Sequence, residues 1–239
     1  KISSIVHYHN SYFVGFLMDG ILLLEKQKET NHYQIQSLPI NSGVFCLKKD
    51  RFQDVVWIGT DGQGVYLYSN PLYSIKSMVL SNYTEKIERP VRAIYLDDEC
   101  TFWVGTKGNG ILKIYDYEFD KNISDCRAEV LTTSNSALSS NAVYCFAKSH
   151  RNLLWIGDEE GLTYYSYREK RIKSIPIRIG NEDFKYIHDI YETADSELWL
   201  ASVGMGVVKA RIAGTPDNPV IVDAQRYIIN DGELGSNYF

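Results

Sequence analysis

Histidines and carboxylates are the residues of this 239-residue chain that could bind a metal ion or catalyse a reaction. His7 and His9 alternate along a short apolar run, a spacing that can hold a metal, but no third ligand lies near them in the sequence. Two acidic groups, at 97–99 and 158–160, lack the Asp-x-Asn/Asp-x-Asn/Asp-Gly pattern of a calcium loop. We therefore expect no metal site, and we interpret these residues as ordinary strand and turn positions.

Three glycine triplets could be mistaken for a cofactor-binding loop. They read GQG, GNG and GMG at 62–64, 108–110 and 204–206, and none has the third glycine or the following helix of a dinucleotide fingerprint. The chain also lacks the GxSxG and HExxH patterns of common hydrolases. We predict turns at the triplets, no cofactor and no catalytic residue, although a carboxylate pair assembled from different segments, as in a propeller glycosidase or lyase, stays open as an alternative.

Each glycine triplet belongs to a longer segment that recurs along the chain. The segment begins with an aromatic residue at positions 13, 57, 103, 155 and 199, at intervals of 44, 46, 52 and 44 residues. A period in the forties is typical of an array of supersecondary units. The five copies read FVGFLMDGILLL, WIGTDGQGVYLY, WVGTKGNGILKI, WIGDEEGLTYYS and WLASVGMGVVKA.

Each repeat predicts three or four short strands. A β-branched or aromatic run precedes the aromatic residue, a polar turn separates the two, and the glycines allow a second tight reversal. A fourth strand fits at 74–79 and 172–177, and the longer third interval predicts a polar loop over 122–140. We predict units that begin near Ile2, Gly43, Val91, Ala142 and Ile187, in repeats over 1–40, 41–88, 89–138, 139–184 and 185–234, with a further one starting at 235–239.

These units predict an all-β fold, namely a β-propeller of four-stranded antiparallel blades. A large ring in the second strand can fill the gap between neighbouring blades. We therefore assign the five aromatic residues to the core: Phe13, Trp57, Trp103, Trp155 and Trp199. The last residues either return to complete the first blade of a five-bladed ring or start a sixth blade of a larger propeller.

The composition limits the partners. The net charge is −5 and its signs are mixed along the chain, so the basic stripe that nucleic acid requires is missing. The longest aliphatic run, 21–24, is far shorter than the roughly 20 residues of a membrane helix. We expect neither nucleic acid binding nor a membrane segment in this region.

The hairpins WIGTDGQGVYLY and WVGTKGNGILKI, together with the segment LSSNAVYCF at 138–146, resemble the two-component regulator propeller repeat. The first copy departs from that pattern because Phe13 replaces the tryptophan. The resemblance implies the periplasmic sensor region of a hybrid two-component histidine kinase of Bacteroidetes, with a seven-bladed propeller and a downstream β-sandwich. It also implies an oligosaccharide ligand in the intact receptor and control of genes for polysaccharide use. The alternatives are an extracellular polysaccharide-degrading enzyme and a protein-binding scaffold.

A ligand of a propeller usually binds where the loops between blades converge. The matching positions here are the starts of the first strands, the ends of the second strands and nearby aromatic residues. The candidates are Asn41, Asp61, Arg89, Arg92, Lys107, Asn141, Lys185, Tyr186, His188 and Tyr191. We also expect neighbouring blades to be partners, and the isolated chain to self-associate through apolar faces that a further blade would cover.

Overall fold

A computed structural model describes residues 1–27, 32–51, 53–69, 74–77, 89–117, 126–229 and 235–238. The elements within these ranges are β-strands, and four consecutive antiparallel strands form each main sheet. The predicted all-β class and the four-stranded antiparallel units are therefore confirmed.

The first three sheets follow one another along the chain. The first contains β1 (Ile2–Tyr8), β2 (Ser11–Phe16), β3 (Ile21–Lys26) and β4 (Tyr33–Ser37). The second contains β5 (Val44–Lys49), β6 (Val55–Thr60), β7 (Val65–Ser69) and β8 (Ser74–Ser77). The third contains β9 (Val91–Leu96), β10 (Phe102–Thr106), β11 (Ile111–Ile114) and β12 (Ala128–Leu131).

Two further sheets and a small hairpin complete the described strands. The fourth sheet contains β13 (Val143–Lys148), β14 (Leu153–Asp158), β15 (Leu162–Ser166) and β16 (Arg171–Ile175). A two-stranded hairpin of β17 (Arg178–Ile179) and β18 (Glu182–Asp183) comes next. The fifth sheet contains β19 (Ile187–Glu192), β20 (Glu197–Ser202), β21 (Gly206–Thr215) and β22 (Asn218–Tyr227).

The first strands begin within one residue of the positions predicted from the sequence. One expectation is wrong. The segment 122–140 is not a continuous polar loop, because β12 occupies Ala128–Leu131 as the fourth strand of the third sheet. Its alternating Ala-Glu-Val-Leu pattern is short and half-polar, which is usual for an outer strand and hard to tell from a loop. Residues 122–125 lie outside the described residues.

The chain divides into two compact units, Lys1–Val104 with Lys113–Glu129, and Gly105–Leu112 with Val130–Phe239. In the first unit, β5 contacts both β1 and β9, and in the second unit β13 contacts β19. Within each unit the first strands of consecutive sheets therefore lie side by side.

The aromatic residue of the second strand fills the space between neighbouring sheets in both units. The Phe13 ring lies 4.7 Å from that of Tyr68, and the Trp57 ring 4.5 Å from that of Phe102. Trp155 belongs to the core of the second unit, together with Leu198 and Leu200 of the fifth sheet. Phe13, Trp57, Trp103 and Trp155 are all at most 1% exposed.

Trp199 does not share this burial, and its assignment to the core is wrong. It lies half-buried on β20, where buried and half-buried residues alternate. Leu198 and Leu200 face the fourth sheet, so the indole of Trp199 points to the opposite face of the fifth sheet. Within the described residues no further sheet covers that face, and Trp199 stacks instead on Tyr227 of its own sheet at 5.9 Å.

Candidate functional site

The first strand of most repeats contains a bulge near its beginning. The pairing with the second strand shifts between Val44 and Cys46, between Val143 and Cys145, and between Ile187 and Asp189. The intervening residues, Phe45, Tyr144 and His188, are the extra residues that these bulges insert into the first strand. A bulge of this kind redirects one side chain without interrupting the sheet.

The side chains at this position form stacked pairs within each unit. In the first unit the guanidinium carbon of Arg92, the second residue of β9, lies 3.7 Å from the ring centroid of Phe45. In the second unit the rings of Tyr144 and His188 lie 4.2 Å apart with an interplanar angle of 27°. Each pair joins an aromatic face to a planar nitrogen-bearing group, an arrangement that can stack on a flat or ring-shaped molecule.

Sequence reasoning identified only half of these residues. Arg92 and His188 were candidates, whereas Phe45 and Tyr144 were missed. The signal was present in the repeat alignment, since all four follow the first residue of a first strand. An apolar residue in a strand is usually assigned to the core, and only the register shift shows that these rings leave the ladder.

Asn141 has a structural role. Its backbone oxygen accepts hydrogen bonds from Gly108 N and Gly110 N, both at 2.9 Å, and its side-chain Oδ1 accepts from Thr133 N. Asn237 repeats the arrangement, because its backbone oxygen accepts from Gly204 N at 2.8 Å and its Oδ1 accepts from Ile229 N. These asparagines attach the start of one repeat to the glycine turn of the repeat before it.

The other predicted ligand residues are not brought together in either unit. Lys185 pairs with Glu160 at 2.5 Å, and Tyr186 is 41% exposed with a positive φ of 55°. Tyr191 is 67% exposed and pairs in the ladder with Trp199, at the far end of β19 from His188. The remaining four are exposed residues of turns and lead-in segments: Asn41, Asp61, Arg89 and Lys107.

The second unit contains a cleft of about 300 Å³ beside the fourth sheet. Its mouth carries two ion pairs, Glu160 with Lys185 at 2.5 Å and Arg178 with Asp183 at 2.8 Å. Ser139 and Ser174 also line the cleft, and the buried side chains of Leu162, Ile175, Ile177 and Phe184 form the apolar part. Only Lys185 of this cleft was among the residues predicted from the sequence.

The buried carboxylates near the strands have structural partners. The Asp158 carboxylate accepts hydrogen bonds from Ser139 Oγ at 2.7 Å and from the backbone N–H groups of Glu160 and Gly161. Burial raises the pKa of Asp158, and these hydrogen bonds oppose the shift. Because the hydrogen bonds tie it to the turn after β14, Asp158 is held as part of the fold.

The described residues contain no group of three or more His, Cys, Asp or Glu side chains arranged to bind a metal ion. His9 lies in the turn after β1 and binds the carboxylate of Asp54 at 2.7 Å, so it does not share a strand face with His7. Within the same described ranges, no helix has the length and apolar character needed to cross a membrane.

Consecutive four-stranded antiparallel sheets whose first strands lie side by side define a β-propeller. Solved β-propellers resemble the chain accordingly, among them the Swd1 propeller domain of Myceliophteria thermophila, with a TM-score of 0.63, 12% identity, and coverage of 96% of this chain and 73% of that one. No family model matches the sequence.

Two bacterial structures are similar over the whole chain. One is the extracellular domain of BT3049 from B. thetaiotaomicron, assigned as a hybrid two component system, with a TM-score of 0.71 and 23% identity over 99% of this chain and 29% of that one. The other is PorZ, a surface component of the type-IX secretion system of Porphyromonas gingivalis, with a TM-score of 0.69 and 14% identity over 100% of this chain and 35% of that one.

One curated protein also matches. Translation initiation factor 6 of Saccharolobus solfataricus is 29% identical over 140 residues, which are 53% of this chain and 57% of that protein. The chain therefore spans a little over half of that relative and about a third of the two bacterial structures.

Proposed function

We propose that the chain is part of the ligand-sensing region of a hybrid two-component histidine kinase, that it lies in the periplasm, and that it responds to saccharides released from polysaccharides. The observation that carries the proposal is the similarity over 99% of the chain, at a TM-score of 0.71, to the extracellular domain of BT3049. The repeated WIGT hairpins, which resemble the two-component regulator propeller repeat, support it independently.

A sensor of this kind needs recognition without turnover. A ligand shifts a receptor between two states by the difference of its affinities for them, and no bond has to break. Moving a receptor from 1:99 to 99:1 takes roughly 5.5 kcal/mol of differential affinity, which several subunits or domains can share. This region can therefore contribute to signalling with only weak saccharide binding of its own, and the histidine kinase activity would belong to the rest of the protein.

The partners in this proposal are neighbouring propeller blades, a downstream β-sandwich and a second copy of the receptor. The exposed Tyr191 and the half-buried Trp199 of the fifth sheet support the first of these, since they offer apolar surface to a following repeat.

A product assay combined with calorimetry tests the proposal. The chain is incubated with a panel of plant and host polysaccharides and titrated with the matching oligosaccharides. We expect no cleavage products and weak or undetectable binding. Glycan cleavage that disappears when Asp183 is replaced by Asn would contradict the sensor function in favour of an enzyme, because Asp183 is an exposed carboxylate at the mouth of the cleft.

A protein-binding scaffold is the second candidate function. It is favoured by the TM-score of 0.69 to PorZ, a surface component of a secretion system. A transcriptional reporter in cells that carry the whole receptor separates the two candidates. Induction by a saccharide supports the sensor, whereas no response to any saccharide, together with recovery of a stable protein complex, supports the scaffold.

A further inference from the structure

We infer that the cleft beside the fourth sheet is a binding site for a small neutral polyol of monosaccharide size. The inference rests on the proposed function for its biological role, but its geometry belongs to the second unit alone. The volume of about 300 Å³ lies at the lower end of the range for small-molecule sites. A single sugar ring fits that volume better than an extended oligosaccharide.

One wall of the cleft is a two-stranded hairpin that lies outside the four-stranded sheets. The hairpin of β17 and β18 separates the fourth and fifth sheets, where the first and second sheets are joined by a direct connection from β4 to β5. Its base is closed by the hydrogen bond from Phe184 N to Ile177 O at 2.8 Å, and both residues are buried in the core of the second unit. Arg226 of β22 also pairs with Glu182 of the hairpin at 2.9 Å. The cleft is therefore pre-formed, so a ligand does not have to order the hairpin on binding.

The polar groups of the mouth balance in charge. Two cations, Lys185 and Arg178, are each paired with a carboxylate, Glu160 and Asp183. A charged ligand would have to break one of these pairs, whereas hydroxyl groups can donate to the carboxylates and accept from the cations while both pairs persist. The pairs are largely exposed and contribute little to stability, so they are free to act in recognition.

The apolar interior of the cleft matches the C–H face of a sugar ring. The buried Leu162, Ile175 and Ile177 supply apolar contact, and Ser174 also lines the cleft. Sugar rings have apolar C–H faces and a rim of hydroxyl groups, which match an apolar floor with a polar mouth. Because the site is small, the expected dissociation constant is on the order of 1–10 mM.

Ligand-detected saturation-transfer NMR on the 239-residue chain tests the site with three probes: galactose, which is neutral, glucuronate, which is an anion, and glucosamine, which is a cation. Galactose should bind, and the two charged sugars should bind at least about fivefold more weakly because each disturbs an ion pair. Glucuronate or glucosamine binding more tightly than galactose would overturn the assignment of a neutral ligand.

A matched pair of variants locates the site. Ser174 and Ser37 are exposed serines at the same register position of the fourth strand, Ser174 opposite Thr163 and Ser37 opposite Leu22. Ser174→Trp should fill the cleft and weaken galactose binding at least about tenfold, and Ser37→Trp should leave it unchanged. Equal binding by both variants, or no galactose binding by the unsubstituted chain, would refute the site.

The test also separates this inference from the proposed function. Galactose binding that Ser174→Trp removes, with no saccharide response in the whole receptor, would keep the site and refute the sensor. A saccharide response that persists in the whole receptor carrying Ser174→Trp, with no binding at the cleft, would keep the sensor and refute the site.

Discussion

The buried tryptophans donate their indole N–H groups to carboxylates, and the source of the carboxylate changes along the chain. Trp57 donates to Asp50 at 2.8 Å and Trp103 to Asp97 at 2.9 Å, each in the turn of its own repeat. In the fourth repeat Ser149 occupies that turn position, and Trp155 donates instead to Glu192 of the fifth sheet at 2.7 Å. A buried N–H needs an acceptor, so a neighbouring sheet supplies what the turn lacks.

Burial decides how much each tryptophan contributes to stability. Trp103 is fully buried, so Trp103→Ala should lower the free energy of unfolding by about 3–5 kcal/mol, through lost transfer energy and the cavity left behind. Trp199 is half-buried and solvent can enter the space it leaves, so Trp199→Ala should cost about 1–2 kcal/mol. Urea unfolding of both variants measures the difference. A cost below about 1 kcal/mol for Trp103→Ala would contradict the burial of its ring in the core.

Lys113 should make the stability of the first unit depend on pH. Its side chain is 3% exposed, with Nζ 4.7 Å from the Trp103 ring and 4.4 Å from the Tyr115 ring, and burial lowers its pKa from 10.5 to about 8. Above pH 8 the folded chain releases this proton while the unfolded chain, with a pKa near 10.5, still binds it. The free energy of unfolding should therefore rise with pH by about 1–2 kcal/mol between pH 8 and 9.5.

Two variants isolate that contribution. Lys113→Met should remove the rise between pH 8 and 9.5, whereas Lys48→Met, which replaces an exposed lysine of β5, should leave it in place. Denaturant unfolding at several pH values gives the comparison. The same pH slope in both variants would mean that another group causes it.

At the scale of the element, the glycine of each WIG segment lets the next sheet approach. A Cβ placed on Gly157 would lie 2.6 Å from the backbone oxygen of Ile187, closer than real Cβ contacts allow. Gly157→Ala should therefore cost about 1–3 kcal/mol. Ala201 occupies the same ladder position in the fifth sheet, opposite Asp189, and Ala201→Gly should cost no more than about 1 kcal/mol. Thermal unfolding compares the two, and a Gly157→Ala variant as stable as the original chain would contradict this close approach.

The strands were predictable because their signals repeat. Five aromatic positions at a period in the forties place the second strands, and the β-branched runs before them place β1, β5, β9, β13 and β19. The hairpin of β17 and β18 was not predictable, since two strands of two residues carry no periodic pattern.

The candidate site was less predictable than the fold, for a related physical reason. Arg92 and His188 were predictable because they are polar residues at the starts of first strands, whereas Phe45 and Tyr144 are apolar or aromatic residues that only the bulge distinguishes from core residues. The hydrogen-bond acceptor of Trp155 was also not predictable from the sequence, because Glu192 belongs to a different repeat and lies 37 residues away along the chain. Contacts between repeats depend on packing, which one repeat's sequence does not encode.

At the scale of the whole molecule, two sheet faces expose apolar side chains. The leading face belongs to the first sheet and comprises Ile5, Tyr12, Tyr33 and Ile35, with Ile35 63% exposed. The trailing face belongs to the fifth sheet and comprises Tyr191, Trp199 and Tyr227. The backbone oxygen of Asn237 accepts hydrogen bonds from the 204–206 turn, just as that of Asn141 does from the 108–110 turn. Because Asn141 directly precedes the fourth sheet, the segment around Asn237 has the position of a segment that leads into a sheet. Faces of this kind drive association when nothing covers them.

We therefore predict that the 239-residue chain self-associates through these faces. Ile35→Lys places a charge in the leading face and should raise the dissociation constant of the associated form at least about tenfold, as measured by sedimentation velocity over a range of concentrations. Met18→Lys is the matched control, because Met18 is 87% exposed in a turn outside both faces and its replacement should leave association unchanged. A chain extended by two further repeats should cover the trailing face, and it should be more stable and should associate less or differently. An unsubstituted chain that stays monomeric, or an extended chain of equal stability, would show that these faces need no cover.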